Sequence, residues 1–171
     1  MKNKYIGVCL LLILLASCSP KNGIMITKDK DGSKMLVGIA DKAKLMDDNA
    51  FSWFKKGYTQ YKPNSVAIKT ISRQASSLHI VVFGGTWCSD THDLLPGFYK
   101  AMDAAGIKDS QIKLYLVNRD KKTKDGASDK YQITNVPTII VFNGDVQLGK
   151  VVEIAKTTIE GDIAAMLIDK D

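Results

Sequence analysis

A change of periodicity at residues 84–88 constrains the fold of this chain most strongly. The preceding residues, Leu78 to Phe83, form a continuous apolar run rich in β-branched side chains, which is typical of a strand buried on both faces. Two glycines end the run. A buried strand that leads directly into a helix predicts an α/β fold, with Cys88 at the start of the helix. The apolar residues that follow recur at helical spacing: Leu94, Leu95, Phe98, Met102 and Ala105.

Further patterns extend this unit towards the C-terminus. Residues 112–117 and 139–142 are short apolar runs that predict two more strands. Asn143-Gly144 favours a hairpin turn, so residues 146–154 should return as an antiparallel strand. A last helix is predicted from Ile159, after a threonine cap. This order predicts a central mixed sheet flanked by helices.

Residues 34–77 are predicted to be an N-terminal helical extension that packs on a core formed by residues 78–171. Residues 34–40 could form a short strand, and one helix should end near Pro63. An aromatic stripe can be a ligand surface, but at helical spacing it is more typical of a buried face, so we expect a single domain. The stripe consists of Phe51, Phe54, Tyr58 and Tyr61, with Trp53 beside it.

The first residues have the pattern of an export signal. Two lysines precede an apolar run of about eleven residues, which is too short to span a bilayer but suits a signal peptide. The sequence Leu15-Ala16-Ser17-Cys18 resembles a bacterial lipobox. The resemblance implies a signal peptide at 1–17, a lipid-linked Cys18, and a lipidated tether at 18–33. An ordinary signal peptide with a chance cysteine is the alternative. We therefore expect a bacterial cell-envelope protein, lipid-anchored to a membrane and facing the periplasm.

Composition excludes several other classes of protein. The net charge of +6 comes from scattered lysines, so no nucleic-acid partner is expected. Three cysteines and two histidines are too few for a structural metal site, and neither a metal nor a cofactor is predicted. Cys9 leaves with the signal peptide and Cys18 is capped by lipid. Cys88 is then the one thiol of the mature chain.

Cys88 is the candidate catalytic residue. The free amides and positive dipole of a helix start stabilise a thiolate, although an inert buried cysteine is the alternative. Thr91, one turn along, could donate a hydrogen bond to the sulfur or be a simple helix-compatible residue. Asp90 would oppose a nearby thiolate. His92, four residues after Cys88, could pair with it or be exposed to solvent. Asp90 and His92 are therefore possible modulators of its ionisation.

Two segments of the sequence resemble the thioredoxin family. Residues 83–91 (FGGTWCSDT), with a proline five residues later, resemble the thioredoxin active-site segment, and residues 136–144 (VPTIIVFNG) resemble its cis-proline strand and hairpin. The resemblance covers about residues 78–170 and is nearest to bacterial envelope thioredoxin-like lipoproteins with a Trp-Cys-x-Asp motif. It implies a thioredoxin-like fold and a cis bond before Pro137. It also implies that Trp87, Val136 and Pro137 hold an extended substrate peptide.

Two departures from the thioredoxin pattern limit the chemistry. Thr91 replaces the second active-site cysteine, so no resolving thiol can release a mixed disulfide from within the chain. Val82 stands where thioredoxins place a buried acidic residue that helps to deprotonate that thiol. Together these departures argue against a self-contained dithiol reductase.

The sequence therefore predicts a membrane-anchored monothiol thiol-disulfide oxidoreductase or isomerase that acts through Cys88. Its expected partners are disulfide-containing or extended envelope proteins, and a partner thiol or redox protein that resolves mixed disulfides. A non-catalytic thioredoxin-like module that binds peptides or proteins is the main alternative. A thiol peroxidase is a weaker one, because the threonine follows the cysteine instead of preceding it.

Overall fold

The apolar run at residues 78–83 lies at the centre of a six-stranded sheet. This computed structural model describes residues 23–168, so the predicted signal peptide and Cys18 lie outside the described residues. The sheet is mixed, as predicted, because the central strand pairs in parallel with one neighbour and antiparallel with the other. In the order in which they lie side by side, the strands are Met25–Lys28 (β1), Lys34–Ala40 (β2), Ile112–Leu116 (β4), Leu78–Gly84 (β3), Thr138–Asn143 (β5) and Val146–Val152 (β6).

Six α-helices complete the fold within the described residues. The longest begins directly after Cys88 and ends at Gly106, whose φ of 81° forms a left-handed cap that glycine adopts without strain. No helix within residues 23–168 is both long and apolar enough to cross a membrane. The helices are Lys42–Met46 (α1), Ser52–Gln60 (α2), Ser65–Ser72 (α3), Ser89–Ala105 (α4), Ala127–Lys130 (α5) and Ile159–Ile168 (α6).

The sheet is buried on both faces around β3, because successive side chains of a strand point to opposite sides. Ile80 and Val82 belong to the larger apolar cluster, which α2, α3, α4 and α6 cover. Val81 and Phe83 belong to a smaller cluster on the other face. This arrangement explains why the strand reads as a continuous apolar run, and it places the end of β3 beneath the start of α4.

The extension shares the larger cluster with the sheet. Phe51 and Phe54 are fully buried in it, and the Phe54 ring packs edge-on against Tyr99 of α4 at 5.7 Å. At the other end of α2, the Tyr61 hydroxyl donates to the buried carboxylate of Glu160 at 2.7 Å. The aromatic stripe is thus a packing surface between the extension and the rest of the domain.

The N-terminal part of the chain differs from the prediction in one respect. The predicted tether at 18–33 includes a strand, β1, which pairs antiparallel with β2, and β2 in turn pairs with β4. The residues before the core therefore contribute two strands: β1 from the predicted tether, and β2 at the residues 34–40 where a strand was predicted. All four β1 side chains are exposed, although Met25 and Ile26 are apolar, so the strand adds little to the core. The strand β1 is held by pairing with β2 in a hairpin. Across the turn of this hairpin, the amide of Asp29 donates to the Ser33 carbonyl at 2.9 Å.

Candidate active site

Cys88 lies where β3 gives way to α4. Its amide donates to the Gly85 carbonyl at 2.9 Å, which closes a tight turn, and its own carbonyl accepts from the His92 amide at 3.1 Å as the first bond of the helix. Cys88 is therefore the residue that caps α4, and its backbone is extended. The residue is partly exposed. A partly exposed sulfur at a helix start is a suitable setting for a reactive thiol.

The sulfur faces the loop that contains Pro137. Cys88 Sγ donates to the carbonyl oxygen of Val136 at 3.2 Å, and the Val136-Pro137 bond is cis, as the resemblance implied. The Pro137 carbonyl accepts from the Glu153 amide at 2.7 Å, and the Glu153 carboxylate accepts from Asn135 Nδ2 at 2.7 Å. These bonds hold the loop in which Val136 faces Cys88.

Trp87 is fixed in place beside Cys88. Its indole N–H donates to the Val117 carbonyl at 2.8 Å. A Cβ at Gly85 would lie 2.7 Å from the indole ring, so only glycine allows this ring position. The Arg119 guanidinium lies over the ring, with its carbon 4.7 Å from the ring centre. Trp87 thus forms a rigid, half-buried wall next to the thiol.

Thr91 is fully buried, and its hydroxyl oxygen accepts from the Gly85 amide at 3.2 Å. Of the two alternatives for Thr91, the structure shows the hydroxyl bound to the backbone of the turn, and no hydrogen bond to Cys88 Sγ is present among the described residues. The physical reason is that Gly85 has left the ladder of β3 and its amide needs an acceptor. Thr91 supports the turn that carries Cys88, and no cysteine stands at this position on the next turn of α4.

His92 and Asp90 are placed differently from each other. His92 Nε2 lies 2.8 Å from the Thr86 carbonyl, and the imidazole stacks on Trp53 at 4.1 Å. The ring is thus engaged by the extension, neither exposed to solvent nor paired with Cys88. Asp90 accepts only a long 3.5 Å bond from Ser89 in the first turn of α4. Of these two possible modulators, His92 has a short hydrogen-bonding contact and Asp90 has only the long one.

Sequence reasoning missed the contacts that the N-terminal hairpin and the extension make with residues around Cys88. The Leu36 amide donates to the Thr86 hydroxyl at 3.2 Å, and Trp53 stacks on His92 as described. The Asp29 carboxylate accepts two 2.7 Å hydrogen bonds from Arg119. Those hydrogen bonds, with smaller contributions from the backbone and nearby charges, lower the pKa of Asp29 to about 2. These partners are far apart in sequence, and no periodicity links them.

A thiol at a helix start, a facing cis-proline loop and a mixed sheet with helices on both faces define a thioredoxin-like fold. The chain belongs to the thioredoxin family, whose sequence model matches residues 64–165. No curated protein matches the chain.

Three solved structures illustrate the similarity, all at low sequence identity. A protein of unknown function from Pseudomonas aeruginosa is 18% identical, with 75% of this chain and 87% of that chain covered and a TM-score of 0.48. Oxidised thioredoxin O2 from Arabidopsis thaliana is 17% identical, with coverage of 60% and 84% and a TM-score of 0.38. Human ERp44 is 20% identical, with coverage of 63% and 31% and a TM-score of 0.39.

Proposed function

We propose that this protein is a monothiol thiol-disulfide oxidoreductase or isomerase, anchored by a lipid on Cys18 and facing the periplasm of a bacterial cell envelope. The observation that carries the proposal is the position of Cys88 Sγ, at the start of α4 and 3.2 Å from the carbonyl of Val136. Membership of the thioredoxin family supports thiol redox chemistry in general. Thr91 at the next turn restricts that chemistry to one sulfur.

In the proposed reaction, an extended substrate segment lies along Val136 and Trp87. The Cys88 thiolate attacks one sulfur of the substrate disulfide. A mixed disulfide forms, and the other substrate sulfur leaves as a thiolate that takes a proton from water. A second thiol, from the substrate or from a partner redox protein, then attacks and releases Cys88 as a thiolate. When that thiol belongs to the substrate, the result is isomerisation without net oxidation or reduction.

A second candidate is a module that binds extended peptides without chemistry. The observation in its favour is that Cys88 donates a hydrogen bond to Val136, and only the protonated thiol can make this bond. In this function the Val136 backbone and the Trp87 wall would hold the peptide by strand addition, and the thiol would be one more contact.

Adduct formation separates the two functions. The full-length protein is incubated with oxidised glutathione at neutral pH, and the peptide that contains Cys88 is followed by mass spectrometry. The oxidoreductase should form a long-lived glutathione adduct, which an added thiol removes, and Cys88→Ala should form none at this peptide. An unmodified Cys88 in the folded protein would contradict the proposal and favour the binding module.

The anchor is tested separately. Cys18→Ala should prevent lipid attachment, so the variant should appear as soluble or unprocessed protein after cell fractionation, whereas wild type remains with the membranes. Cys9→Ala is the matched control, because it removes a cysteine of the signal peptide and leaves the lipobox intact. If the Cys18 variant fractionates and migrates like wild type, the lipoprotein assignment is wrong.

A further inference from the structure

An ion pair joins the N-terminal hairpin to the rim of the active site. Asp29 directly follows β1, and Arg119 lies in the loop after β4. The guanidinium donates through Nε and Nη2 to the two carboxylate oxygens, each at 2.7 Å. This two-pronged geometry is the strong form of an arginine–carboxylate pair. It fixes where the positive charge of Arg119 lies.

That position is on the ring of Trp87, the residue that precedes the reactive thiol. The guanidinium carbon is 4.7 Å from the centre of the Trp87 ring, and Trp87 adjoins Cys88 in the chain. The pKa of Arg119 is raised, first by its hydrogen bonds to Asp29, and the negative charges of Asp29, Asp31 and Cys88 also contribute. The charge of Arg119 and that of a Cys88 thiolate therefore act on each other.

The two members of the pair are unequally exposed. The Arg119 side chain is 44% exposed, whereas that of Asp29 is only 5% exposed. The carboxylate is thus covered and directed at the guanidinium, whose charge it partly neutralises. A positive charge stabilises a nearby thiolate, and a neutralising carboxylate weakens that effect.

We propose that Arg119 is a positioning residue that stabilises the thiolate of Cys88, and that Asp29 attenuates this effect. The N-terminal hairpin thereby sets the reactivity of the thiol. This inference rests on the proposed function for its biological use. Its test measures alkylation, which requires no disulfide substrate, so the two can fail separately.

Other ionisable groups near this end of the sheet also act on the Cys88 thiolate, and their contribution is the same in wild type and in both variants. Asp90 opposes the thiolate from the first turn of α4, and the His92 ring is held between Thr86 and Trp53. Two more are Asp31 in the hairpin turn and Glu153, which is bonded to the Pro137 loop, and Asp120 adjoins Arg119. All five stay in place when only the Asp29–Arg119 pair is changed.

The test is the rate at which iodoacetamide alkylates Cys88 in the full-length protein, measured as a function of pH on the Cys88 peptide by mass spectrometry. Arg119→Gln should slow the reaction near neutral pH by about two- to fivefold and move the midpoint of the pH profile upwards. Asp29→Asn should accelerate it by a similar factor and move the midpoint downwards. High salt should reduce both differences.

The decisive result is that Arg119→Gln and Asp29→Asn change the alkylation rate in opposite directions. Both variants break the same ion pair, so a purely structural role would change the alkylation rate in the same direction in both. Equal directions, or no change in either variant, would overturn the inference. Lys122→Gln is the matched control: it removes a positive charge from the same loop as Arg119, where Lys122 pairs with Asp129 of α5, and it should leave the rate unchanged. Opposite signs without mixed disulfides in any variant would support the inference and refute the oxidoreductase.

Discussion

Replacing Phe54 by alanine tests whether the extension and the thioredoxin-like core are one cooperative unit. The ring is fully buried, and it packs against Tyr99 at 5.7 Å and Trp53 at 5.8 Å. Removing a buried phenylalanine ring costs about 3–5 kcal/mol, with the larger values where the cavity cannot collapse.

The structure places this variant in the upper half of that range. A Cβ at Gly57 would lie 2.8 Å from Pro96 Cβ, so the backbone of α2 already touches α4 one turn after Phe54. The helix therefore cannot move inwards to fill the space. The Tyr58 hydroxyl also holds α2 to Asp103 at 2.6 Å. We expect a loss of about 4–5 kcal/mol in the free energy of unfolding.

Urea unfolding followed by circular dichroism measures this loss. With a slope of about 1–3 kcal/mol per molar urea, the midpoint should fall by roughly 1.3–5 M. Phe54→Leu, which leaves a smaller space, should cost about 1–2 kcal/mol and remains measurable if the alanine variant does not fold. Lys55→Ala, on the exposed side of the same helix, should change the free energy of unfolding by less than about 0.5 kcal/mol.

The two tryptophans of the chain report on different parts of the molecule. Trp53 belongs to the extension and Trp87 to the active-site turn. The fluorescence of Trp53 alone, in Trp87→Phe, and of Trp87 alone, in Trp53→Phe, should each change at the same urea concentration as the circular dichroism of that variant. Transitions that separate within a variant, or a Phe54→Ala variant as stable as wild type, would refute the single-unit argument.

Three further predictions concern the site and its support. Thr91→Cys should shorten the lifetime of glutathione adducts on Cys88 and raise insulin reduction, because a neighbouring thiol can then displace them; unchanged rates would contradict a single-sulfur mechanism. The folded pKa of Asp29 is about 2, against 3.8 ordinarily, so its ion pair stabilises the protein above about pH 4 and is lost as pH falls towards 2. The urea midpoints of wild type and Asp29→Asn should therefore converge in acid and differ steadily from pH 5 to 7. Tyr61→Phe should cost about 1.5–3 kcal/mol in thermal or urea unfolding, because the buried Glu160 carboxylate loses a donor; a neutral result would contradict this.

The parts of the fold that the sequence predicted are those with strong local patterns. The apolar run before Gly84 predicted β3, and the Asn143-Gly144 turn predicted the hairpin of β5 and β6. The cis bond before Pro137 came from the family resemblance, since proline alone favours trans. The exposed strand β1 was not predicted, because its apolar residues are few and the strand depends on pairing with β2.

The sequence predicted only those site residues that are neighbours in the chain. Cys88 and Trp87 stand in one segment, and their neighbourhood follows from the change of periodicity. Asp29, the partner of Arg119, is 90 residues away in the N-terminal hairpin, and Trp53, the partner of His92, is 39 residues away in the extension. Such contacts depend on how the extension packs, and a single sequence carries no periodic signal for that.

The contact between Asp29 and Arg119 also limits how far the active site can lie from the proposed lipid anchor at Cys18. Asp29 is eleven residues beyond Cys18, and an extended chain spans at most about 3.6 Å per residue, so the two lie within about 40 Å of each other. With the anchor that we propose at Cys18, the thiol beside Trp87 is held close above the lipid headgroups. Its accessible disulfides are then those in membrane-proximal segments of envelope proteins. Lengthening the chain between Cys18 and Met25 would raise this working height without changing the fold.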